Sequence, residues 1–138
     1  MKKKELKDLE KIKDKAWNIW SIYIRKRDKG ICYTCGARHW DEELGEWSIK
    51  GFNAGHFKHG VLDFDEENIH CQCIRCNRWN HGELDLYAEN LIRDMGLERF
   101  NLLCNRAKEA TKGQKYTIED YEKIIKETEA KILQLPMF

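Results

Sequence analysis

The sequence predicts an α+β domain in which helices flank a short-stranded, cysteine-rich centre. Three observations carry that reading. Apolar residues recur at three- and four-residue steps near both ends of the chain. Most of the cysteines and glycines, with the histidines, crowd into the middle. The chain has 138 residues, 41% of them hydrophobic, which suits one modest core. Residues 1–138 therefore read as a single domain in three parts: a basic helix over 1–29, a centre over 30–82 and helices over 83–138.

In the first part, Leu6, Leu9, Ile12, Ala16, Ile19, Trp20 and Tyr23 mark the apolar face of one long helix that Asp28-Lys29-Gly30 ends. The centre changes to short β-like pieces such as Trp47-Ser48-Ile49. In the last part, Leu84, Tyr87, Ala88, Leu91 and Met95 predict a helix stopped by Gly96, and Leu97 to Ala110 a second. Thr117 with Asp120 forms a capping box before a final helix, whose Tyr121, Ile124, Ile125 and Ile132 face inward ahead of Pro136.

The formal net charge of +1 gives little hint of a polyanionic partner. Its distribution says more, because residues 1–29 hold eleven Lys/Arg against five Asp/Glu. Such a helix is either a solvated face or a nucleic-acid contact surface. No stretch approaches the roughly 20 apolar residues of a bilayer span, and Met1-Lys2-Lys3-Lys4 leads into charged sequence rather than a signal peptide. The expectation is a cytoplasmic protein with no membrane partner and no small-molecule substrate. In a reducing compartment, six cysteines favour metal ligation over disulfides.

Cys32-Tyr33-Thr34-Cys35 and Cys73-Ile74-Arg75-Cys76 are two C-x-x-C turns, each able to place two thiolates on one tetrahedral ion. Cys32, Cys35, Cys73 and Cys76 are thus expected to hold a structural Zn²⁺. Cys71 is an alternative to Cys73, though the spacing of Cys73 and Cys76 repeats the first turn better. Cys104 reads as a core residue. Zinc at such a site argues for architecture more than for catalysis.

Between and beyond these turns stand Asn53-Ala54-Gly55-His56-Phe57, Glu67-Asn68-Ile69-His70 and Asn77-Arg78-Trp79-Asn80-His81. With the cysteines, this order resembles the NinG/Rap family of lambdoid-phage recombination endonucleases within the HNH (His-Me finger) nucleases. That pattern reads C-x-x-C, A-G-H-F, then E-N-x-H-x-Q-C-x-x-C-N, and it covers about Ile31 to Leu91. The resemblance implies a ββα-metal core: a β-hairpin and a helix clasping one divalent ion, pinned by the zinc turns. It also implies a phage origin and cleavage of branched DNA such as Holliday junctions or D-loops.

Roles follow from that implied core. Phosphodiester hydrolysis needs a group to take a proton from the attacking water, and a neutral imidazole suits this at neutral pH; His56 is the expected base. Asn77 is the expected ligand of a catalytic Mg²⁺ or Mn²⁺, joined by His81 if a helix running on from the second turn puts both on one face. Asn68 is implied to be a backbone tether for the loop carrying the histidine. Many such nucleases place an acidic or histidine ligand just before the base, where this chain has Gly55. The third ligand stays open among Asp63, Asp65, Glu83, a backbone carbonyl, or water and phosphate oxygens. His59 and His70 read as surface or supporting groups, His39 as a replacement zinc ligand or a residue without special role, and Trp40 and Trp79 as packing residues rather than base-stacking ones.

Lys58, Arg75 and Arg78 near the site, with Arg25, Lys26 and Arg27 at the end of the basic helix, are the expected phosphate contacts. A homodimer is expected because a junction has two strands to cut. Two rivals are a non-catalytic zinc-dependent DNA-binding module and a partner-binding protein whose lysine-rich helix is the interface. A module that only binds has no physical need for a base beside a metal ligand.

Overall fold

The computed structural model describes residues 2–136. Four helices and two small antiparallel sheets make an α+β architecture. Helix α1 (Lys3–Arg27) leads into the first cysteine turn, followed by the short pair β1 (Trp40–Asp41) and β2 (Glu46–Trp47). Strand β3 (Phe52–His56) then pairs with β4 (Ile69–Cys73), in a register that sets Phe52 opposite Cys73 and His56 opposite Ile69. A π-helical turn, Arg75–Trp79, carries the chain to α2 (Leu84–Met95), α3 (Leu97–Glu109) and α4 (Ile118–Gln134). No described helix is long and apolar enough to cross a membrane.

The amphipathic pattern of α1 is realised in two contacts. Ala16 packs with Tyr121 and Ile125 of α4, and Trp20, Tyr23 and Ile24 pack on Ala54 and Ile69 of the β3–β4 hairpin. A single helix face therefore meets both a helix and a sheet. The helix ends where Gly30 takes φ 66°; a side chain there would bring Cβ to 2.6 Å from the Ser48 carbonyl, so glycine is required by conformation and by space. Thr117 Oγ1 accepts from Asp120 N–H at 3.1 Å and Asp120 Oδ2 from Thr117 N–H at 2.8 Å, the expected capping box. Gly96, at φ 84°, separates α2 from α3 as expected.

Two local expectations are corrected. The strand over Trp47-Ser48-Ile49 stops at Trp47; Ser48 N–H still reaches the His39 carbonyl across the pair, and the chain then turns where Ser48 Oγ accepts from Lys50 N–H. The helix running on from the second cysteine turn ends at Trp79, closed by Asn80 N–H on the Arg75 carbonyl five residues back. His81, Gly82 and Glu83 then take φ of 53°, 88° and 48°, three successive left-handed residues that no right-handed helix can include.

A buried polar chain joins α2 to the hairpin. Tyr87 is fully buried; its hydroxyl donates to the Gly55 carbonyl at 2.8 Å and lies 3.2 Å from His70 Nδ1. Because that hydroxyl proton is spent on Gly55, His70 Nδ1–H is the donor to Tyr87. The His70 ring lies 4.0 Å from that of Tyr33, and burial lowers its pKa to about 4.

The unfolded chain takes up the His70 proton near pH 6.5 and the folded protein only near pH 4, so the contribution is complete above pH 6.5 and falls as pH drops toward 4. Acidifying zinc-loaded protein from pH 7 to pH 5 should cost roughly 2 kcal/mol through this residue. Urea denaturation should show that loss in the wild type and a smaller one in His70→Gln; equal losses in the two proteins would refute the assignment.

Candidate metal and catalytic centre

The sulfurs of Cys32, Cys35, Cys73 and Cys76 all lie within 4.8 Å of one another, with Cys35 and Cys73 3.7 Å apart. Tetrahedral zinc with Zn–S bonds of about 2.3 Å separates its sulfurs by about 3.8 Å, so the four can hold one zinc ion. The two turns repeat each other: Cys35 N–H points at Cys32 Sγ at 3.5 Å, and Cys76 N–H at Cys73 Sγ at 3.4 Å. Burial opposes ionisation of Cys32, but the Thr34 hydroxyl and backbone N–H groups outweigh it and bring the thiol down to about 6. Arg75 lies beside Cys35, where the sulfur raises its pKa. Cys71 is outside the set; it is buried, its N–H donates to Asp28 Oδ2 at 2.8 Å, and burial pushes its thiol far up.

His56 ends β3, and its Nε2 lies 2.9 Å from Asp63 Oδ1. Its ring stacks on Trp17 of α1 at 5.4 Å, with His59 6.0 Å away. The His56 hydrogen bond holds the Asp63 carboxyl below its usual range, Lys13 adding to this and burial opposing it. Burial, then the charge of His56, lowers His59. His56, Asp63, Trp17, Lys13, Phe64 and Tyr121 line a cleft of about 130 Å³, and a larger cavity of about 820 Å³ shares Lys13, Asp63 and Tyr121 with it.

Asn68 is fully buried. Its Oδ1 accepts from Lys58 N–H at 2.8 Å, and its Nδ2 donates to the carbonyls of Lys58, Val61 and Leu62 at 3.1–3.3 Å. One amide thus holds the loop that leaves β3 at His56. The loop's acids are held from outside: Asp65 and Glu67 by Arg106 of α3, Glu67 also by Arg99, and Glu66 by Tyr23 and Lys131. Asp65 is thus paired with Arg106 through both carboxylate oxygens, and Asp63 with His56 through Oδ1.

Gly55 explains the missing acid before His56. A Cβ there would lie 1.9 Å from Gln72 Oε1 and 3.0 Å from Asn77 Oδ1. Gln72 is itself fully buried, donating to Thr34 Oγ1 and the Gly82 carbonyl, while its Oε1 has no hydrogen-bond partner. The Asn77 side chain faces the strand that carries His56, and makes no hydrogen bond among the described residues. His81 does not share its helix face, because the π-turn ends before it.

Of the expected phosphate contacts, Arg25 donates to Ser21 and to the Ile49 carbonyl, and Arg27 to Asp28 and the carbonyls of Glu66 and Ile69. These two are internal braces, which corrects their reading as free cations; Lys26 between them is exposed. Lys58 lies over the Phe57 ring at 5.0 Å, and Arg78 is exposed. Sequence reasoning missed Trp17 and gave Asp63 a different role. The available signal was the Lys13-to-Trp17 step of four residues on α1, which puts both beside one surface.

Zinc analysis of purified protein should find about one ion per chain. Cys35→Ser and Cys73→Ser should each lose it and Cys71→Ser should keep it; loss in Cys71→Ser with retention in Cys73→Ser would reverse the ligand assignment.

Comparison with known proteins adds the lineage. The chain is 35% identical to Protein ninG of Escherichia phage 933W over 86 residues, covering 56% of this chain and 37% of that protein. It is 34% identical to Protein ninG of Salmonella phage P22 over 85 residues, 56% of this chain and 36% of that one. Identity to Protein ninG of Escherichia phage lambda is 29% over 123 residues, 83% of this chain and 52% of that one. The chain thus spans about a third to a half of the curated relatives it matches. No solved structure matches it. The wider resemblance to Rap and the HNH nucleases is corrected here, since these matches are NinG proteins and nothing in them ties the chain to either group. A family model described as Bacteriophage Lambda NinG protein matches residues 1–137, and the chain belongs to the NinG family.

Proposed function

We propose that this chain is a metal-dependent endonuclease that hydrolyses phosphodiester bonds in branched DNA. The observation that carries the reading is the oriented imidazole of His56, held at Nε2 by Asp63 and on one face by Trp17. With Nε2–H donated to the carboxylate, Nδ1 keeps the free lone pair. It takes the proton of an attacking water, and the ionised Asp63 stabilises the imidazolium that results. Asp63 is in this scheme a positioning residue. Lys13, in the same cleft, faces a non-bridging phosphate oxygen.

Asn77 Oδ1, an oxygen donor without a protein partner, fits a hard divalent cation whose remaining ligands are water and phosphate oxygens. Such an ion, Mg²⁺ or Mn²⁺, would supply charge stabilisation for the leaving 3′ oxygen. The β3–β4 hairpin and the π-turn are then the ββα-metal core, with the zinc cluster fastening them together. Lys26, Lys58 and Arg78 contact backbone phosphates, which set position without reading sequence. Cutting both strands of a junction calls for two centres, so the working species is a homodimer; sedimentation as a monomer with and without junction DNA would count against that.

Labelled four-way-junction, flap and linear DNA should be cut by the wild type with Mg²⁺ or Mn²⁺ and left intact with EDTA. His56→Ala should lose at least about 100-fold in rate. Asp63→Asn should fold normally, lose about 10- to 100-fold, and shift the pH profile of the remaining activity. Binding without cutting on every substrate would refute the nuclease and leave a DNA-binding module.

A further inference from the structure

Tryptophan usually packs or finds a partner for its ring. Trp20 is buried in the core, Trp17 stacks on His56, and Trp40 and Trp47 meet edge to face with Arg38 over Trp47 at 3.7 Å. Trp79 is different. It is 76% exposed, no ring or cation partner meets it among the described residues, and it stands two residues beyond Asn77 on the π-turn. This corrects its reading as a packing residue. π-Turns of this kind recur at functional sites, and a ring this exposed costs solvation unless something covers it.

Its surroundings indicate what covers it. Residues 68–82 contain no Asp or Glu, in a chain with 24 acids, and include the exposed Arg75 and Arg78. Arg75 and Trp79 are four residues apart on a turn closed by an i-to-i+5 hydrogen bond, nearly one turn, and Arg78 is the adjacent exposed residue. An exposed indole on a cationic, acid-free ridge suits an anion that carries a flat aromatic face. A protein partner offers such pairings one side chain at a time, whereas a DNA strand offers a base and a phosphate at every nucleotide.

We infer that Trp79 stacks on an unpaired base of the DNA strand beside the candidate catalytic centre, with Arg78 on the adjoining phosphate. This deepens the nuclease reading and rests on it for the identity of the polymer. In a continuous duplex both faces of each base are covered by its neighbours, so the indole has no surface to occupy. At a branch, bulge or flap a base turns out and exposes one. Trp79 would therefore set preference among DNA structures while leaving sequence unread.

The test measures binding by fluorescence anisotropy, in Mg²⁺, to one duplex with and without a central bulge of unpaired thymidines. The proteins are His56→Ala, His56→Ala/Trp79→Ala and His56→Ala/Trp79→Phe, each checked for zinc content and far-UV circular dichroism. Trp79→Ala should weaken binding to the bulged DNA about tenfold and to the paired duplex by less than about twofold, and Trp79→Phe should restore most of the difference. Equal loss on both DNAs, no loss on either, or no DNA binding by the parent protein would overturn the inference. Wild-type cleavage of the same DNAs is scored separately. Selective loss of bulge binding with no wild-type cleavage would leave the stacking role standing and remove the nuclease.

Discussion

The centre of this molecule depends on the convergence of two C-x-x-C turns that lie far apart in sequence. Cys35 and Cys73 are separated by 38 residues, yet their sulfurs are 3.7 Å apart. Closing so long a loop through a metal restricts the unfolded chain strongly, while lengthening the loop further costs only about 0.6 kcal/mol per doubling. Position is the second consequence. The first turn follows α1 and the second ends β4, so the cluster ties the helix exit to one end of the hairpin. The β3–β4 register then carries that constraint to His56, at the opposite end of β3 from the residue facing Cys73.

From His56 the chain makes a loop without a strand of its own before β4 begins, and two kinds of interaction hold it. The outer ones are ion pairs from Arg99, Arg106 and Lys131 to the acids at 65–67, which are partly exposed. Pairs of that kind contribute about 0–1 kcal/mol each. The inner one is Asn68, with no exposure to solvent and four hydrogen bonds. Removing its side chain leaves buried backbone groups unpaired at about 1–3 kcal/mol apiece. The single amide therefore outweighs any one ion pair in fixing where the loop, and with it Asp63, meets His56.

The helices were legible in the sequence because their signals are local: period, cap and stop lie within a few residues of one another, as Thr117 with Asp120 and Gly96 illustrate. The cluster of four cysteines that can hold a zinc ion was legible because two identical spacings can share one ion, and the fold adds the geometry that leaves Cys71 outside it. What could not be read was whatever depends on pairing across the chain. Arg25 and Arg27 belong to a basic stretch, yet carbonyls from the hairpin region consume their donors. Trp17 meets His56 only because α1 packs on the hairpin, and Asp63 only because Asn68 folds the loop back on it. The helix face that Asn77 and His81 were expected to share is absent for a local reason that propensity conceals, since His81 and Glu83 adopt left-handed conformations without being glycine.

The charge pattern looks poorly suited to a DNA partner until it is resolved by position. The acids of the centre are clamped by helices, as at 65–67, bonded to His56, as Asp63 is, or gathered at the β1–β2 pair in Asp41, Glu42, Glu43 and Glu46, leaving 68–82 without any. Along α1 the lysines alternate with Glu5, Asp8, Glu10 and Asp14, so that surface carries less field than its lysine count suggests. With a divalent ion bound, four thiolates would keep a net negative charge, and Arg75 beside Cys35 would offset part of it at the foot of the π-turn. The uncompensated cation nearest Asn77 in sequence is Arg78. Under the proposed reading, a field so local would place a phosphate but would not hold a long duplex by charge, so selectivity for one DNA structure would come from shape and from the flat surface that Trp79 presents.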